Sequence, residues 1–275
     1  MTILRRRLLT AIACISALPL QTVAFHTPSI PMAYRSVPSE MKPMRTAMFL
    51  RGGGSGGVRG MSAGLTPEFL MGTLAPLCGN ILGNLMFLAP MPSVLAARRA
   101  GTLGELNPLP FPSLIGNCVA WIAYGLVVQN LWIIAPNVTG LFIGLFYTFT
   151  SYTLAIPSVR STIVRTLAAY GAIIAVASAA VATGQLPLTP KTVFGLVANL
   201  LLLIFYASPL ASLATVLRTR SAASLDPLLA ASGACNGAFW LAYGYALRDP
   251  YVAVPNGVGA ALNLLNLAAV AVFGR

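Results

Sequence analysis

Downstream of residue 66, long apolar stretches alternate with short segments that carry the charged residues. Each stretch approximates the roughly 20 residues with which a helix crosses the hydrocarbon core of a bilayer. A helix also satisfies its own backbone hydrogen bonds in lipid. The pattern therefore predicts seven transmembrane helices. Their approximate ranges are 70–91, 111–129, 131–154, 163–183, 190–215, 228–247 and 251–273.

The sequence repeats itself with a shift of 119 positions. Trp121-x-Ala-Tyr-Gly matches Trp240-x-Ala-Tyr-Gly, and Pro136-Asn137 matches Pro255-Asn256. Leucine-rich helices match one another by composition alone, but Trp, Pro and Asn in register do not. The chain therefore contains two copies of a three-helix unit.

The charges between the spans predict the orientation of these copies. Arginines gather in the loops after the first, third and fifth spans, whereas the opposite loops hold only Lys191 and Arg248. The positive-inside rule places the arginine-rich side and the C-terminus in the cytosol, or its equivalent, and the N-terminus outside. Both repeats then run in the same direction, so the unpaired fourth span must reset the direction between them.

The predicted fold class is an all-α membrane protein with seven transmembrane helices in a 3+1+3 arrangement of two parallel three-helix repeats. The first repeat covers 66–158, a linker transmembrane helix covers 159–185, and the second repeat covers 186–275. Transporters built from such repeats place their site at the repeat interface near the midplane of the membrane.

Composition agrees with a chain embedded in lipid. Of its residues, 57% are hydrophobic and 8% are charged, whereas about a quarter of the residues of a soluble domain are charged. The net charge of +12 comes from a basic leader and scattered loop arginines, so nucleic acid is not an expected partner. The four cysteines show no pair spacing, and neither a disulfide framework nor a zinc site is indicated.

The titratable residues favour uncoupled transport of a neutral solute. The only histidine is His26, and all four acids beyond residue 66 lie at the ends of spans. A proton- or sodium-coupled carrier usually needs an acid or a histidine at mid-membrane. The sequence also lacks a Ser/His/Asp set and a phosphate-binding loop with its lysine, so we expect neither an enzyme nor a cofactor.

The first 65 residues have the organisation of a targeting leader. Three arginines, a short apolar run and small residues form the three zones of a secretory signal peptide over residues 1–24. Residues 25–65 are basic and rich in Ser, Pro and Met, and we predict that they are disordered. The Ala24–Phe25 junction resembles the bipartite plastid presequences of algae with complex plastids, which indicates a plastid envelope protein. The alternative is a signal peptide with a disordered tail on a plasma-membrane protein.

Two asparagines deep in predicted spans are candidate ligands for the solute. Asn137 lies about 9 Å into its span at 1.5 Å per residue, and Asn256 is its repeat mate. An amide offers two donors and an acceptor, which suits a ring of hydroxyl groups. Pro136 and Pro255 free carbonyls beside these amides, and we expect this backbone to open toward a cavity. The alternative is that the amides only join helices to each other.

Trp121 and Trp240 occupy one repeat position near the middle of the second and sixth spans. A flat indole face packs well against the C–H face of a pyranose. Tryptophan in membrane proteins more often anchors a helix at the interface, but the mid-span depth of these two residues argues against that role. Both are therefore candidates for the wall of the solute site.

Two further groups of residues are candidate gates. Tyr124 and Asp249 lie near the outer ends, where a hydroxyl–carboxylate contact could close an outer gate; Asp249 could equally be a solvated loop acid paired with Arg248. Prolines on the cytosolic side can kink their helices and so hinge an inner gate. These prolines are Pro90, Pro110, Pro209 and Pro227. For Pro110 and Pro227 the alternative is that they only begin their helices, where proline is favoured.

The motifs that contain these candidates are specific in combination. They are Leu106-Asn-Pro-Leu-Pro-Phe, Asn117-Cys-x-x-Trp-x-x-Tyr-Gly, Tyr206-Ala-Ser-Pro-Leu and Arg248-Asp-Pro-Tyr-Val-Ala-Val-Pro-Asn-Gly. Together they resemble the SWEET family of sugar transporters over about residues 72–273, a family with the parallel repeat topology. The resemblance implies uniport of mono- or disaccharides by alternating access. The implied partners are a sugar and the lipid bilayer, with a homo-oligomer as a further expectation.

The resemblance also implies a role for each candidate residue. Asn137 and Asn256 would hydrogen-bond the sugar, Trp240 would stack on it, and Trp121 would line the same pocket. The four prolines correspond to the family's hinges, and Tyr124 with Asp249 to its outer gate. The sequence departs from the family pattern at two hinges. Pro108 and Pro112 flank the first-repeat candidate, and Asp226 occupies the family position next to Pro227.

Two other classes of membrane protein agree less well with this pattern. A carrier of another small neutral solute, such as an amino acid, stays open, although related carriers typically have a Pro-Gln pair where this chain has Pro90-Met91 and Pro209-Leu210. A retinal receptor needs a lysine in its last span, and the only lysines are Lys42 and Lys191.

Overall fold

Helices account for all regular secondary structure in the part of the chain that the structure, a computed structural model, describes: residues 66–184, 186–223 and 225–274. The prediction of an all-α fold is confirmed over these residues. The predicted signal peptide at 1–24 and the predicted disordered segment at 25–65 lie outside them and stay predictions.

Every predicted span coincides with helical structure, and proline begins six of the eight helices in the described part of the chain. Proline is favoured at the first helical position because its missing N–H would have no intrahelical acceptor there. The helices are α1, which comprises Pro67–Phe69, a π-helical turn Leu70–Leu74 and Ala75–Leu88; α2, Met91–Ala100; α3, Pro110–Val127; α4, Leu131–Leu154; α5, Pro157–Thr183; α6, Pro190–Thr219; α7, Pro227–Ala246; and α8, Pro250–Phe273.

Within the described residues, five helical stretches are long and apolar enough to cross a bilayer. They are α1 together with α2, then α3, α4, α5 and α8. In α6 the apolar part is Pro190–Ile204. The helix α7 has 20 residues, but Ser232, Asn236 and several glycines lower its hydropathy. Because α7 packs between neighbouring helices, it does not need an apolar surface on every side.

The helices form two three-helix bundles that have the same internal order. In the first bundle α4 contacts both α1 and α3, and in the second bundle α8 contacts both α6 and α7. The bundles meet where α1 contacts α7 and where α3 contacts α6. The sequence repeat relates α1 to α6 and α3 to α7, so it maps one of these two contacts onto the other, as a pseudo-twofold axis requires. The helix α5 packs mainly on α3 and α6, which is the position expected of a linker span.

Glycines bring α7 and α8 close together. A Cβ atom on Gly244 would lie 2.5 Å from the backbone nitrogen of Ala253, and one on Gly237 would lie 2.7 Å from the carbonyl oxygen of Asn256. Only glycine fits at these two positions, because the atoms that a side chain would meet belong to backbone. Small residues at such contacts let helices in lipid approach closely, and this pair positions Asn256 in the second bundle.

Candidate functional site

A cavity of about 200 Å³ lies between the two bundles. Its wall comes from α1, α3, α4, α7 and α8, with Leu202 of α6 completing it. The four residues predicted to bind solute all line this one cavity. They are Trp121, Asn137, Trp240 and Asn256. Trp121 and Asn256 lie 135 positions apart in the sequence, and they converge here because contacts between the repeats bring both bundles together.

Asn137 and Asn256 have the same local geometry in the two bundles. The Nδ2 group of Asn137 donates a hydrogen bond to the carbonyl of Ile133 at 2.8 Å, and that of Asn256 donates to the carbonyl of Val252 at 2.8 Å. Each bond fixes the amide against its own helix. The carbonyl oxygen and the second N–H of each amide are then left for a solute in the cavity.

The prediction that the prolines would open backbone carbonyls toward the cavity is wrong for Tyr251. Pro255 has no N–H to donate to this carbonyl, which lies four residues earlier. Asn199 of α6 takes the donor's place, because its Nδ2 group donates to the carbonyl oxygen of Tyr251 at 2.9 Å and to that of Gly195 at 2.8 Å. The proline therefore creates a contact between α6 and α8 at this position. The sequence signal was the repeat match of Asn199 with Asn80.

The two cavity tryptophans differ in exposure although they occupy equivalent positions. Trp121 is 7% exposed and belongs to a core cluster with Tyr124, whereas Trp240 is partly buried. Each packs edge-on against the tyrosine three residues later, with ring centroids 5.8 Å apart. A Cβ atom on Gly79 would lie 2.8 Å from Nε1 of Trp240, so this glycine seats the indole against α1.

Tyr124 and Asp249 meet at one end of the cavity. We name the end formed by the α3–α4 and α7–α8 turns the gate end, after the outer gate predicted there. The Tyr124 hydroxyl donates to Oδ2 of Asp249 at 2.5 Å, and Nζ of Lys191 lies 3.3 Å from the same oxygen. Asp249 is 4% exposed. The alternative of a solvated acid paired with Arg248 is therefore not what the structure shows.

A second contact of the same kind, which the sequence interpretation missed, joins Asn130 and Tyr243. The amide nitrogen of Asn130 lies 2.8 Å from the Tyr243 hydroxyl, and that hydroxyl lies 3.1 Å from the amide oxygen. The repeat shift carries Tyr124 onto Tyr243 and Asn130 onto Asp249. The gate end is thus held by two copies of one contact, of which only the Asp249 copy is charged. The repeat register was the signal that could have predicted it.

Both gate contacts are built into helix starts. Asn130 caps α4 by accepting a hydrogen bond from the backbone of Trp132 at 3.1 Å, and Asp249 caps α8 by accepting one from Tyr251 at 3.1 Å. An N-cap side chain fixes the first turn of its helix. Asn130 and Asp249 therefore each couple a tyrosine of one bundle to the helix of the other bundle that carries a cavity asparagine.

A family model described as "Sugar efflux transporter for intercellular exchange" matches this chain twice, over residues 74–157 and 192–275. Each match covers one predicted repeat. The two matches together span more than half of the chain. The chain belongs to the SWEET family. The family model thus matches each copy of the internal repeat of this SWEET chain once.

Curated relatives of this SWEET chain are named bidirectional sugar transporters. The bidirectional sugar transporter SWEET5 of Arabidopsis thaliana is 30% identical over 201 residues, which cover 71% of this chain and 83% of the relative. SWEET7 of the same plant is 29% identical over 203 residues, which cover 72% of this chain and 79% of the relative. SWEET4 of Oryza sativa subsp. indica is 26% identical over 205 residues, which cover 73% of this chain and 79% of the relative.

A solved structure shares the fold. The 3.7 Å structure of a eukaryotic SWEET transporter superposes with a TM-score of 0.68 at 26% identity, covering 76% of this chain and 99% of that chain. The prediction of the family and that of its helical membrane fold are confirmed.

The four candidate hinge prolines of this SWEET chain occupy three kinds of position. Pro110 and Pro227 are the first residues of α3 and α7, and Pro209 lies within α6. Pro90 lies in the turn between α1 and α2, at the N-cap position of α2. Asp226 caps α7 through two backbone N–H groups, at 2.8 and 3.2 Å. The hinge role of all four stays a prediction.

Proposed function

We propose that this chain is a bidirectional facilitative transporter, a uniporter, that moves mono- or disaccharides across a membrane by alternating access. The observation that carries the proposal is the cavity between the repeats, where two amides and two indoles of equivalent positions face one space. Amides hydrogen-bond hydroxyl groups, and indole faces pack against the apolar face of a sugar ring. The names of the curated relatives support the same solute class.

The charges of the chain support uncoupled transport. Beyond residue 66 the acids are Glu68, Glu105, Asp226 and Asp249, and the last two cap helices at their ends. Among the described residues, the cavity wall includes no acid and no histidine. A solute that crosses with a proton needs a titratable group along its path, so a sugar would move down its own gradient.

We expect radiolabelled glucose or sucrose to enter liposomes that contain the full chain with saturable kinetics, at rates that a pH gradient changes less than about two-fold. The ratio Vmax/KM should be the same for influx and efflux, because a uniporter adds no driving force of its own. Accumulation of sugar above equilibrium when a proton gradient is imposed would contradict uniport. Saturable flux of amino acids without sugar flux would instead favour the alternative carrier of another neutral solute.

The proposed orientation puts the gate end outside and the C-terminus in the cytosol. Arg98 and Arg99 lie in the last turn of α2, and Arg218 in the last turn of α6. The gate end holds Lys191, which is paired with Asp249, and Arg248. The arginine excess at the opposite end supports this orientation. The boundaries proposed for the repeats are 66–158 and 186–275, with 159–185 as the linker.

We further propose that residues 1–65 direct the chain to a plastid envelope. A fluorescent protein fused behind residues 1–65 and expressed in an alga with complex plastids should accumulate at the plastid. The matched control is the same fusion with Phe25→Ala, which should be diverted to the secretory route because it alters the predicted junction. Secretion of both fusions would contradict the plastid proposal and support a plasma-membrane protein.

A further inference from the structure

The first helix of the first repeat is broken, whereas the corresponding helix of the second repeat is continuous. Helix α1 ends at Leu88 and α2 begins at Met91, but α6 runs without interruption over Pro190–Thr219. The shift of 119 positions carries α1 and α2 together onto α6. The two repeats therefore differ in backbone conformation at this one place, although their helices are otherwise in the same order.

The number of prolines explains why only one of these helices is broken. Pro90 and Pro92 lack the N–H groups that would donate to the carbonyls of Met86 and Leu88. In the second repeat the mate of Pro92 is Ala211, so only one donor is missing there. The helix α6 stays continuous with one missing donor, and two missing donors within three residues interrupt the hydrogen bonds of the first repeat.

A tyrosine of α4 spans the break. The Tyr147 hydroxyl donates to the carbonyl oxygen of Phe87, near the end of α1, at 3.0 Å. The Tyr147 ring belongs to a buried cluster with Val94 of α2, and its centroid lies 5.0 Å from that of Phe111 at the start of α3. Tyr147 is 0% exposed. This one side chain therefore contacts α1 before the break and α2 after it.

The second repeat has no equivalent of this contact within the described residues. The mate of Tyr147 is Asn266, whose amide oxygen is buried without a partner. The mate of Phe111 is Ala230, which has no ring to pack against. The tyrosine contact is thus present in the repeat whose helix is broken and is missing in the repeat whose helix is continuous.

The break adjoins the cavity at its other end from the gate end. Phe87 lines the cavity, and a Cβ atom on Gly140 of α4 would lie 2.7 Å from Cε2 of its ring. Both hydrogen-bonded contacts of the gate end are formed in the same structure. The broken form of α1 therefore coincides with a closed gate end. A transporter that alternates access opens one end of its site while the other is closed.

We propose that Tyr147 is a positioning residue for alternating access: its hydroxyl stabilises the broken form of α1 and thereby the state in which the gate end is closed. This inference rests on the proposed function. In the other state α1 takes the continuous form that α6 already has, and the Tyr147–Phe87 bond is given up. Because the bond favours one of two states, its removal should shift their ratio toward the open gate end about five-fold, the effect of one hydrogen bond.

The test measures the distance across the gate end by double electron–electron resonance on the detergent-solubilised full chain. Spin labels on Leu126→Cys and Tyr245→Cys, exposed mates in the last turns of α3 and α7, report this distance once the four native cysteines are replaced by alanine. Tyr147→Phe keeps the ring and should raise the ratio of long to short distances about five-fold. Tyr152→Phe is the control on the same helix, because its hydroxyl makes no hydrogen bond within the described residues, and it should leave the ratio unchanged.

A double-mutant cycle ties the effect to the break. In a Pro90→Ala/Pro92→Ala background α1 regains its missing donors, and Tyr147→Phe should then change the ratio less than about 1.5-fold. An unchanged ratio for Tyr147→Phe, with or without a lower melting temperature, would overturn the positioning role, and so would an equal effect of Tyr147→Phe in both backgrounds. Absence of glucose and sucrose flux in the unmodified chain would overturn the proposed function, whereas the distances test Tyr147 without any flux.

Discussion

Asn256→Ala is expected to reduce saturable sugar flux at low sugar concentration by roughly 100-fold while the protein stays folded. The amide offers the cavity an acceptor and a donor. Loss of two hydrogen bonds of about 1.5 kcal/mol each amounts to about 3 kcal/mol, and each 1.4 kcal/mol is a factor of ten in affinity. Asn137→Ala should have an effect of similar size, because its geometry is the same.

The effect of Asn256→Ala on stability should be small. Within the described protein its side chain makes a single bond, to the carbonyl of Val252 in its own helix, and such a bond contributes about 1 kcal/mol. The matched control is Ser178→Ala on α5, which removes a bond of the same type to the carbonyl of Ile174, also at 2.8 Å, but far from the cavity wall. Both variants should melt within about 4 °C of the unmodified chain.

The measurement is initial-rate influx of radiolabelled sugar, with melting temperature read by tryptophan fluorescence. Loss of flux in Asn256→Ala but not in Ser178→Ala assigns the amide to the solute. If Asn256→Ala and Asn137→Ala both transport at rates within two-fold of the unmodified chain, the amides serve only to hold helices, which is the alternative that the sequence left open.

The positions of the helices could be predicted from the sequence because the bilayer imposes a length on every apolar run. The predicted span 131–154 agrees with α4, and Pro110 and Pro250 mark helix starts within a residue or two of the predicted ones. The convergence of Asn137 and Asn256 also followed from the sequence, because repeat mates must occupy equivalent places around a common axis.

Other features of the site depend on packing and could not be predicted. The carbonyl of Tyr251 is satisfied by Asn199, which becomes apparent only when α6 lies beside α8. The unequal exposure of Trp121 and Trp240, which occupy one repeat position, also depends on packing. The Asn130–Tyr243 contact is intermediate, because the repeat shift applied to Tyr124 and Asp249 would have predicted both partners.

Removal of the Asp249 side chain is expected to weaken closure of the gate end and to destabilise the fold. Asp249→Ala leaves the Tyr124 hydroxyl, on a residue that is 0% exposed, without its acceptor, which costs about 1–3 kcal/mol. It also removes the cap of α8, at a cost of about 1 kcal/mol. We expect a melting temperature lower by about 5–10 °C and sugar flux reduced about ten-fold or more.

Asp249→Asn is the variant that separates the gate from its charge, because the symmetry-related contact already uses an asparagine, Asn130. An amide can accept from the Tyr124 hydroxyl and still cap α8, while the ion pair with Lys191 is lost. Since Lys191 is 44% exposed, solvent screens that pair and its contribution is small. Asp249→Asn should therefore keep more than half of the flux. Tyr124→Phe should reduce the flux as much as Asp249→Ala does, without the same loss of melting temperature. If Tyr124→Phe transports as fast as the unmodified chain, the Tyr124–Asp249 contact stabilises the helix end and does not gate the cavity.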